Sequence, residues 1–161
     1  MSDGLFLAKN IFLGFYINMY TLFTQNFNNL NFTGYERTFV MLKPDAFKRN
    51  LDSVIMDKIK EDKSLIISKT WEGVAPRKKV EKNWESKRGK SFFKEWMDFM
   101  TSGKVRGMVV EGEDAVSKVL NLKIAIRNKF AKGQKRENLV HSSDTVQDAK
   151  REIGNFFDYE T

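Results

Sequence analysis

The sequence of 161 residues contains no cysteine and a single histidine. Without cysteine the protein has no disulfides, no catalytic thiolate and no thiolate-bound metal. Any metal ion must therefore be bound by oxygen ligands or by His141. The missing cysteine is also compatible with a reducing compartment. We expect a cytoplasmic protein, although the N-terminal segment leaves targeting open.

Charge is scarce in residues 1–34, where Asp3 and Lys9 are the only acidic or basic residues. This segment is rich in Phe, Leu, Ile, Tyr and Asn, so we treat it as an extension, with a domain in residues 35–161. Lys9 and two asparagines interrupt the apolar run over residues 5–23, which argues against a membrane span. A lineage-specific extension, a start codon assigned too early, a targeting signal and a docking segment are the alternatives for its role.

Basic residues outnumber acidic ones by 28 to 21, which gives a formal net charge of +7. A surface with this excess attracts polyanions such as nucleotides, nucleic acid or anionic lipid. The excess alone does not choose among these partners.

The apolar pattern predicts four strands separated by helices. Residues 39–42 are apolar at every position, which is typical of a strand covered on both faces. Pro44 ends this strand because proline cannot donate to the ladder. Further strands are predicted over 65–71, 105–110 and 139–141. Their order predicts an α+β, ferredoxin-like fold, in which helices cover one face of a four-stranded antiparallel sheet.

Two helix starts can be read from capping residues. Asp114 is predicted to cap a helix carrying Val116, and a separate short helix is predicted over 126–131. Thr145, with Asp148 three residues later, predicts a capping arrangement for the final helix.

The neighbours of His141 predict a phosphate site, although a lone histidine is by itself more often a surface or packed residue. Ser142, Ser143 and Asp144 follow it at a strand-to-helix junction, where free N–H groups and the helix dipole favour negative charge. Glu152 lies about two turns into the next helix and can accept a hydrogen bond from one ring nitrogen, leaving the other as a nucleophile. Lys43 and Arg127 are candidate cations for phosphoryl transfer.

Three segments carry a resemblance to a known family. Residues 36–45 resemble the opening strand and Lys-Pro-Asp turn of nucleoside diphosphate kinases. Residues 99–103 resemble the segment before the third strand of that family, and residues 138–144 resemble its His-x-Ser-Asp signature. The spacing to Glu152 also matches. The order and spacing of these segments make chance similarity improbable.

The resemblance implies that the protein moves the γ-phosphate of a nucleoside triphosphate to a nucleoside diphosphate through phosphorylated His141, with ping-pong kinetics. This reaction balances nucleotide pools. The implied cofactor is Mg²⁺, held mainly by the nucleotide phosphates with little dedicated protein coordination. Low base selectivity is also implied, since stacking on an aromatic ring accepts any base.

The site residues implied by the resemblance fall into two groups. The catalytic group is His141, Glu152, Ser143 and Lys43. The nucleotide-binding group is Lys43, Phe92, Arg127, Asn138, Trp84 and Lys90. Phe92 would stack on the base, whereas its aromatic neighbours favour a core position. Asn138 would contact the sugar or act as a turn residue, and Ser143 would orient His141 or cap the helix.

Four features depart from the family pattern. Trp84 stands where a phosphate-contacting tyrosine is usual, Lys90 stands where arginine is typical, and Leu120 replaces a nucleotide-contacting arginine. Lysine keeps the charge of arginine but loses its fork of donors. The family loop between Leu122 and Arg127 is almost entirely deleted.

This loop helps to build the nucleotide pocket and the subunit contact around a three-fold axis in the family. Its loss puts both in doubt, so we expect a homo-oligomer that is a dimer rather than a hexamer. Lys123 is a candidate substitute cation.

An active kinase is the leading hypothesis. The alternative is a catalytically degenerate family member that serves as a binding or structural subunit, docked on nucleic acid or on a larger assembly with or without nucleic acid. The basic surface, the lost loop and the aromatic N-terminal segment suit that alternative. A third hypothesis, a membrane-tethered kinase, depends only on residues 5–23, and we expect no membrane partner.

Overall fold

The computed structural model describes residues 34–131, 133 and 135–157. The chain divides into two units, residues 1–33 and residues 34–161. The predictions for the N-terminal segment, including the apolar run over residues 5–23, lie outside the described residues. Within the described part, no helix has the length and apolarity needed to cross a membrane.

Four antiparallel strands form one sheet in the order β2-β3-β1-β4. The strands are β1 (Tyr35–Leu42), β2 (Leu65–Val74), β3 (Lys104–Glu113) and β4 (Val140–Ser142). The order of elements and the antiparallel pairing confirm the ferredoxin-like fold class. The short β4 pairs with β1 alone and forms one edge of the sheet, as the sequence predicts for residues 139–141.

In the part of the chain that the structure describes, six α-helices and one 3₁₀ turn accompany the strands. They are α1 (Pro44–Lys48), α2 (Asp52–Glu61), α3 (Arg77–Asn83), the 3₁₀ turn Glu85–Lys87, α4 (Phe93–Met100), α5 (Ala115–Phe130) and α6 (Val146–Phe157).

Helices cover both faces of the sheet, so the prediction that they cover one face is wrong. Phe39 and Met41 of β1 pack in a core with residues of α3, α4 and α6. Val40 and Leu42 point to the opposite face and pack with residues of α2 and α5. Because successive side chains of a strand alternate in direction, the unbroken apolar run of β1 requires cover on both sides.

The α5 segment is one continuous helix, whereas the sequence predicts two helices there. Its start also differs from the prediction, because Asp114 has a left-handed backbone (φ 54°) and its side chain makes no capping hydrogen bond. Instead, Glu36 Oε2 of β1 accepts a hydrogen bond of 2.9 Å from Val116 N. The helix therefore runs without a break past Leu122, and a carboxylate far away in sequence supplies the cap.

The predicted cap of the final helix is confirmed, because Asp148 N donates a hydrogen bond of 3.0 Å to Thr145 Oγ1. Gly107 of β3 allows α6 to approach the sheet closely. A Cβ atom at Gly107 would lie 2.3 Å from Cε1 of Phe156. This close packing fixes α6, and therefore Glu152, relative to the strand that carries His141.

Candidate active site

A buried carboxylate holds the imidazole of His141. His141 lies on β4, and its Nε2 is 2.9 Å from Oε2 of Glu152 on α6. The Ser143 hydroxyl donates to the same oxygen at 2.8 Å, and Glu152 is only 5% exposed. Phe39 N of β1 donates in turn to Ser143 Oγ at 3.4 Å. Ser143 therefore does not cap α6 through its hydroxyl, and Nδ1 of His141 makes no hydrogen bond to any described residue.

Aromatic rings fix the plane of the imidazole. The Trp84 ring lies 5.1 Å from the His141 ring, centroid to centroid, at an interplanar angle of 68°. The Trp84 ring in turn lies 4.6 Å from the Trp96 ring, and the ring of Phe39 on β1 lies 6.1 Å from the His141 ring, each measured between centroids. The indole at position 84 thus supports the histidine ring by edge-to-face packing, a role that needs no hydroxyl group.

Lys43 lies buried at the end of β1. Its Nζ donates to Asn138 Oδ1 at 2.6 Å and to Arg136 O at 3.0 Å. Burial and, to a smaller extent, repulsion from Arg127 together lower the pKa of Lys43 to about 8. Near neutral pH the ammonium group is therefore charged, but it lies much closer to losing its proton than an exposed lysine does.

Two basic residues of α5, four positions apart and hence on one helix face, bind the free edge of β4. Arg127 donates to Val140 O from Nε at 3.1 Å and from Nη2 at 2.6 Å. Lys123 donates to Ser142 O at 3.3 Å and to Asp144 Oδ1 at 2.6 Å. Burial lowers the pKa of Arg127, which still carries its charge at every physiological pH. The continuous helix thereby holds the strand that carries His141.

These contacts meet at a cleft of about 190 Å³. The residues that line it are Lys43, Trp84, Lys87, Phe92, Trp96, Arg127, Lys135, Asn138 and His141. Six of the predicted site residues are thus brought together, and Ser143 and Glu152 lie buried behind the imidazole. Lys90 is exposed and does not line the cleft. Lys123 does not line it either, so the structure gives no support to its role as a substitute cation.

Phe92 is 46% exposed, so the interpretation of this residue as core is wrong. Its neighbour Phe93 is the one that packs against the core cluster. Asn138 acts as a turn residue, one of its two predicted roles, because its Nδ2 donates to Lys135 O. Its Oδ1 accepts a hydrogen bond from Lys43, and the sugar contact stays a prediction.

Sequence reasoning missed three lining residues, Lys87, Lys135 and Trp96. The two lysines are among 28 basic residues and belong to no motif, so no local signal marks them. Trp96 stands in an aromatic-rich helix where a core position is the ordinary expectation. In the described ranges no three His, Asp or Glu residues converge on a metal site.

Comparison with known proteins agrees with this geometry. The family model of nucleoside diphosphate kinases matches residues 36–161. A nucleoside diphosphate kinase of Acanthamoeba polyphaga mimivirus is 38% identical over 128 residues, which cover 76% of this chain and 93% of the viral protein. One from Saccharolobus solfataricus is 38% identical over 133 residues, covering 76% and 95%. The crystal structure of nucleoside diphosphate kinase from Encephalitozoon cuniculi has a TM-score of 0.70 at 32% identity, covering 76% of this chain and 88% of that one.

Proposed function

Because the chain belongs to the nucleoside diphosphate kinase family, a family of phosphotransferases, we propose that His141 carries the phosphoryl group between nucleotides. One observation carries this proposal. Nε2 of His141 is bound to buried Glu152 Oε2, and the ring borders a cleft that also contains Lys43 and Arg127. An oriented imidazole with one free nitrogen, surrounded by cations, is suited to accept a phosphoryl group.

In the first half-reaction, Nδ1 of His141 attacks the γ-phosphorus of a nucleoside triphosphate. The new N–P bond forms as the bond from phosphorus to the β–γ bridging oxygen breaks, and the nucleoside diphosphate leaves with that electron pair. Glu152 keeps the proton on Nε2, so the lone pair stays on Nδ1, and it stabilises the positive charge that develops on the ring.

In the second half-reaction, the β-phosphate oxygen of another nucleoside diphosphate attacks the phosphorus on Nδ1. The N–P bond breaks, its electrons return to the ring, and a new triphosphate leaves. One site serves both halves in turn, so ping-pong kinetics follow and the enzyme equilibrates nucleotide pools.

The other lining residues position the substrate. Lys43 and Arg127 contact the phosphates, and Asn138 contacts the sugar. Their common position on the lining of the cleft and the hydrogen bond from Lys43 to Asn138 support these roles. The exposed ring of Phe92 offers a stacking surface for any base. Mg²⁺, when bound through the nucleotide phosphates, neutralises part of their charge. Trp84 supports His141 and stands beside the phosphate position, and Lys90 contributes long-range positive charge.

The test is incubation of the purified protein with γ-labelled ATP and magnesium, followed by acid treatment of the labelled protein. We expect acid-labile label that moves to added GDP. His141→Ala should take up none, and His141→Asn, which keeps a polar side chain, serves as the second control. A folded wild-type protein without label would contradict the proposal and favour the degenerate-subunit alternative.

We also propose that the protein is a dimer. The outer edge of β2 has ten residues without proline, and Ile66 (56% exposed) and Val74 (62% exposed) stand on it. An edge of this length can pair with the same strand of a second copy. Light scattering after size exclusion should give twice the chain mass, and Ile66→Lys should give one chain mass. A wild-type monomer at micromolar concentration would contradict this assembly.

A further inference from the structure

We infer that Lys87 and Lys135 form a clamp that binds the polyphosphate of the nucleotide in this cleft. This inference rests on the proposed function, because it concerns the same site. It assigns two substrate-positioning residues that neither the sequence motifs nor the histidine chemistry requires.

The four cations that line the cleft differ in whether they already have partners. Lys43 is bound to Asn138 and to a backbone carbonyl, and Arg127 is bound to Val140 O. The side chains of Lys87 and Lys135 are exposed and make no hydrogen bond or ion pair with any described residue. Their ammonium groups are therefore the two lining cations that can bind an anion without first breaking a protein contact.

The backbone of each lysine makes hydrogen bonds to described residues nearby, although the side chains make none. Lys87 N donates to Trp84 O at 2.8 Å, and Lys87 O accepts from Lys90 N at 3.1 Å. Lys135 O accepts from Asn138 Nδ2 at 2.9 Å. Both residues line the cleft, so binding an anion there chiefly orders the torsions of the two side chains.

The segment around Lys135 is also tied to the rest of the site. Arg136 forms an ion pair with Glu95 of α4, and the Arg136 carbonyl accepts a hydrogen bond from Lys43. The neighbouring arginine is thus neutralised by a carboxylate, whereas Lys135 is not. The two lysines come from separate segments, one before α4 and one before β4, and the same cleft unites them with His141.

A solvated surface role is the ordinary interpretation of an exposed lysine, and it predicts a different result. Solvated lysines would affect nucleotide binding weakly, and equally for nucleotides with one or two phosphates. A phosphate clamp predicts a loss that grows with the number of phosphates, since charge-assisted hydrogen bonds form only where phosphate oxygens are present. The dependence on phosphate number therefore separates the two roles.

The experiment measures the dissociation constants of ADP and AMP by calorimetry for the wild type, Lys87→Met, Lys135→Met and the double variant. Methionine keeps the chain length but removes the charge. Lys60→Met, on the exposed side of α2 and outside the cleft, is the matched control. Unfolding midpoints check that every variant is folded.

We expect each single variant to weaken ADP binding about fivefold and the double variant about twenty-fivefold, because the lysines lie in separate segments and their effects should add. AMP binding should change less than twofold, and Lys60→Met should match the wild type. Raising the salt concentration should weaken ADP binding less in the double variant than in the wild type.

Two results would overturn the clamp. They are an unchanged ADP affinity in the double variant, or equal losses for ADP and AMP. Either of them, with label still forming on His141 of the wild type, would leave the kinase proposal intact. If the double variant lost ADP affinity as expected but the wild type took up no label, the phosphohistidine proposal would be refuted while the clamp would be supported.

Discussion

The buried end of the cleft and its open end are held in different ways. At the buried end, Glu152 accepts hydrogen bonds from His141 and Ser143, and Lys43 donates two. At the open end, the Phe92 ring is 46% exposed and the two clamp lysines have no partner among the described residues. The buried end is therefore organised before the substrate arrives, whereas the open end acquires its contacts on binding.

This difference separates chemistry from binding. Groups held in place before the reaction stabilise the transition state without reorganisation, so their loss should lower kcat. Groups that contact the bound nucleotide equally in the ground state and the transition state should change KM when they are removed. The predictions below test whether substitutions at the buried end lower kcat and substitutions at the open end raise KM.

The largest effect is expected for Glu152→Gln. The amide keeps the shape of the carboxylate but cannot stabilise positive charge on the imidazole, and its NH₂ group can favour the wrong tautomer. We expect kcat to fall on the order of 10²-fold with KM nearly unchanged, measured as the rate of His141 phosphorylation in a single turnover.

Glu85→Gln is the matched control, since Glu85 is an exposed carboxylate outside the cleft. It should behave as the wild type. If Glu152→Gln changed KM and left the phosphorylation rate intact, the buried end would not be the catalytic end.

The second prediction concerns pH and Lys43. Because burial lowers the pKa of this lysine to about 8, the free enzyme loses a phosphate-binding charge as pH rises above 8. Above pH 8 we expect kcat/KM for the nucleotide to fall by a factor that approaches ten per pH unit. Lys43→Arg should lower kcat/KM at every pH but abolish this fall above pH 8, since arginine stays charged.

The same shift has a consequence for folding. The unfolded chain keeps its proton up to about pH 10.5, so between about pH 8 and 10.5 it binds more protons than the folded chain at this site. Below pH 8 the buried charge of Lys43 should therefore lower the free energy of unfolding. This free energy should rise as the pH increases from about 8 to 10.5. Urea titrations of the wild type and Lys43→Met at pH 7 and 9.5 measure this. A stability difference between them that is independent of pH would contradict the lowered pKa.

The sequence predicts the buried end better than the open end, for physical reasons. The spacing from His141 to Glu152 places the carboxylate on a helix that packs behind the histidine, so a local pattern determines most of that geometry. Likewise, the unbroken apolar run of β1 by itself requires that the strand be buried on both faces. Lysine has no such pattern, and only the folded chain shows that Lys87 and Lys135 reach the cleft.

Contacts between distant residues also defeat local reasoning at α5. Asp114 is of a residue type that often caps helices. However, the side chain that binds the N-terminus of α5 is that of Glu36, which lies 80 positions from Val116 in sequence. Phe92 and Phe93 are adjacent and identical in type, so only packing decides which of them is exposed. Local propensity cannot distinguish two such neighbours.

The third prediction tests how α5 supports the buried end. Lys123→Met should leave Ser142 O without its donor and Asp144 without its ion pair. We expect the free energy of unfolding to fall by about 1–2 kcal/mol, with a severalfold loss of kcat as the strand carrying His141 loosens. Lys129→Met, at an exposed position of the same helix, is the control for charge. Stability and kcat both equal to those of the control would show that β4 does not depend on this contact.

The smallest effect is expected where the chain offers its closest comparison, the pair Phe92 and Phe93. Phe92→Ala removes an exposed ring at the open end, so the free energy of unfolding should change by less than about 0.5 kcal/mol. KM should rise about fivefold, and similarly for ADP and GDP, because stacking is insensitive to the base. Phe93→Ala removes a ring packed against the core, so we expect a loss of about 2 kcal/mol in stability with KM unchanged. Chemical denaturation and steady-state kinetics of the two variants measure both quantities. If the two substitutions changed the free energy of unfolding and KM by the same amounts, exposure would not distinguish the binding end of the cleft from the core beneath it.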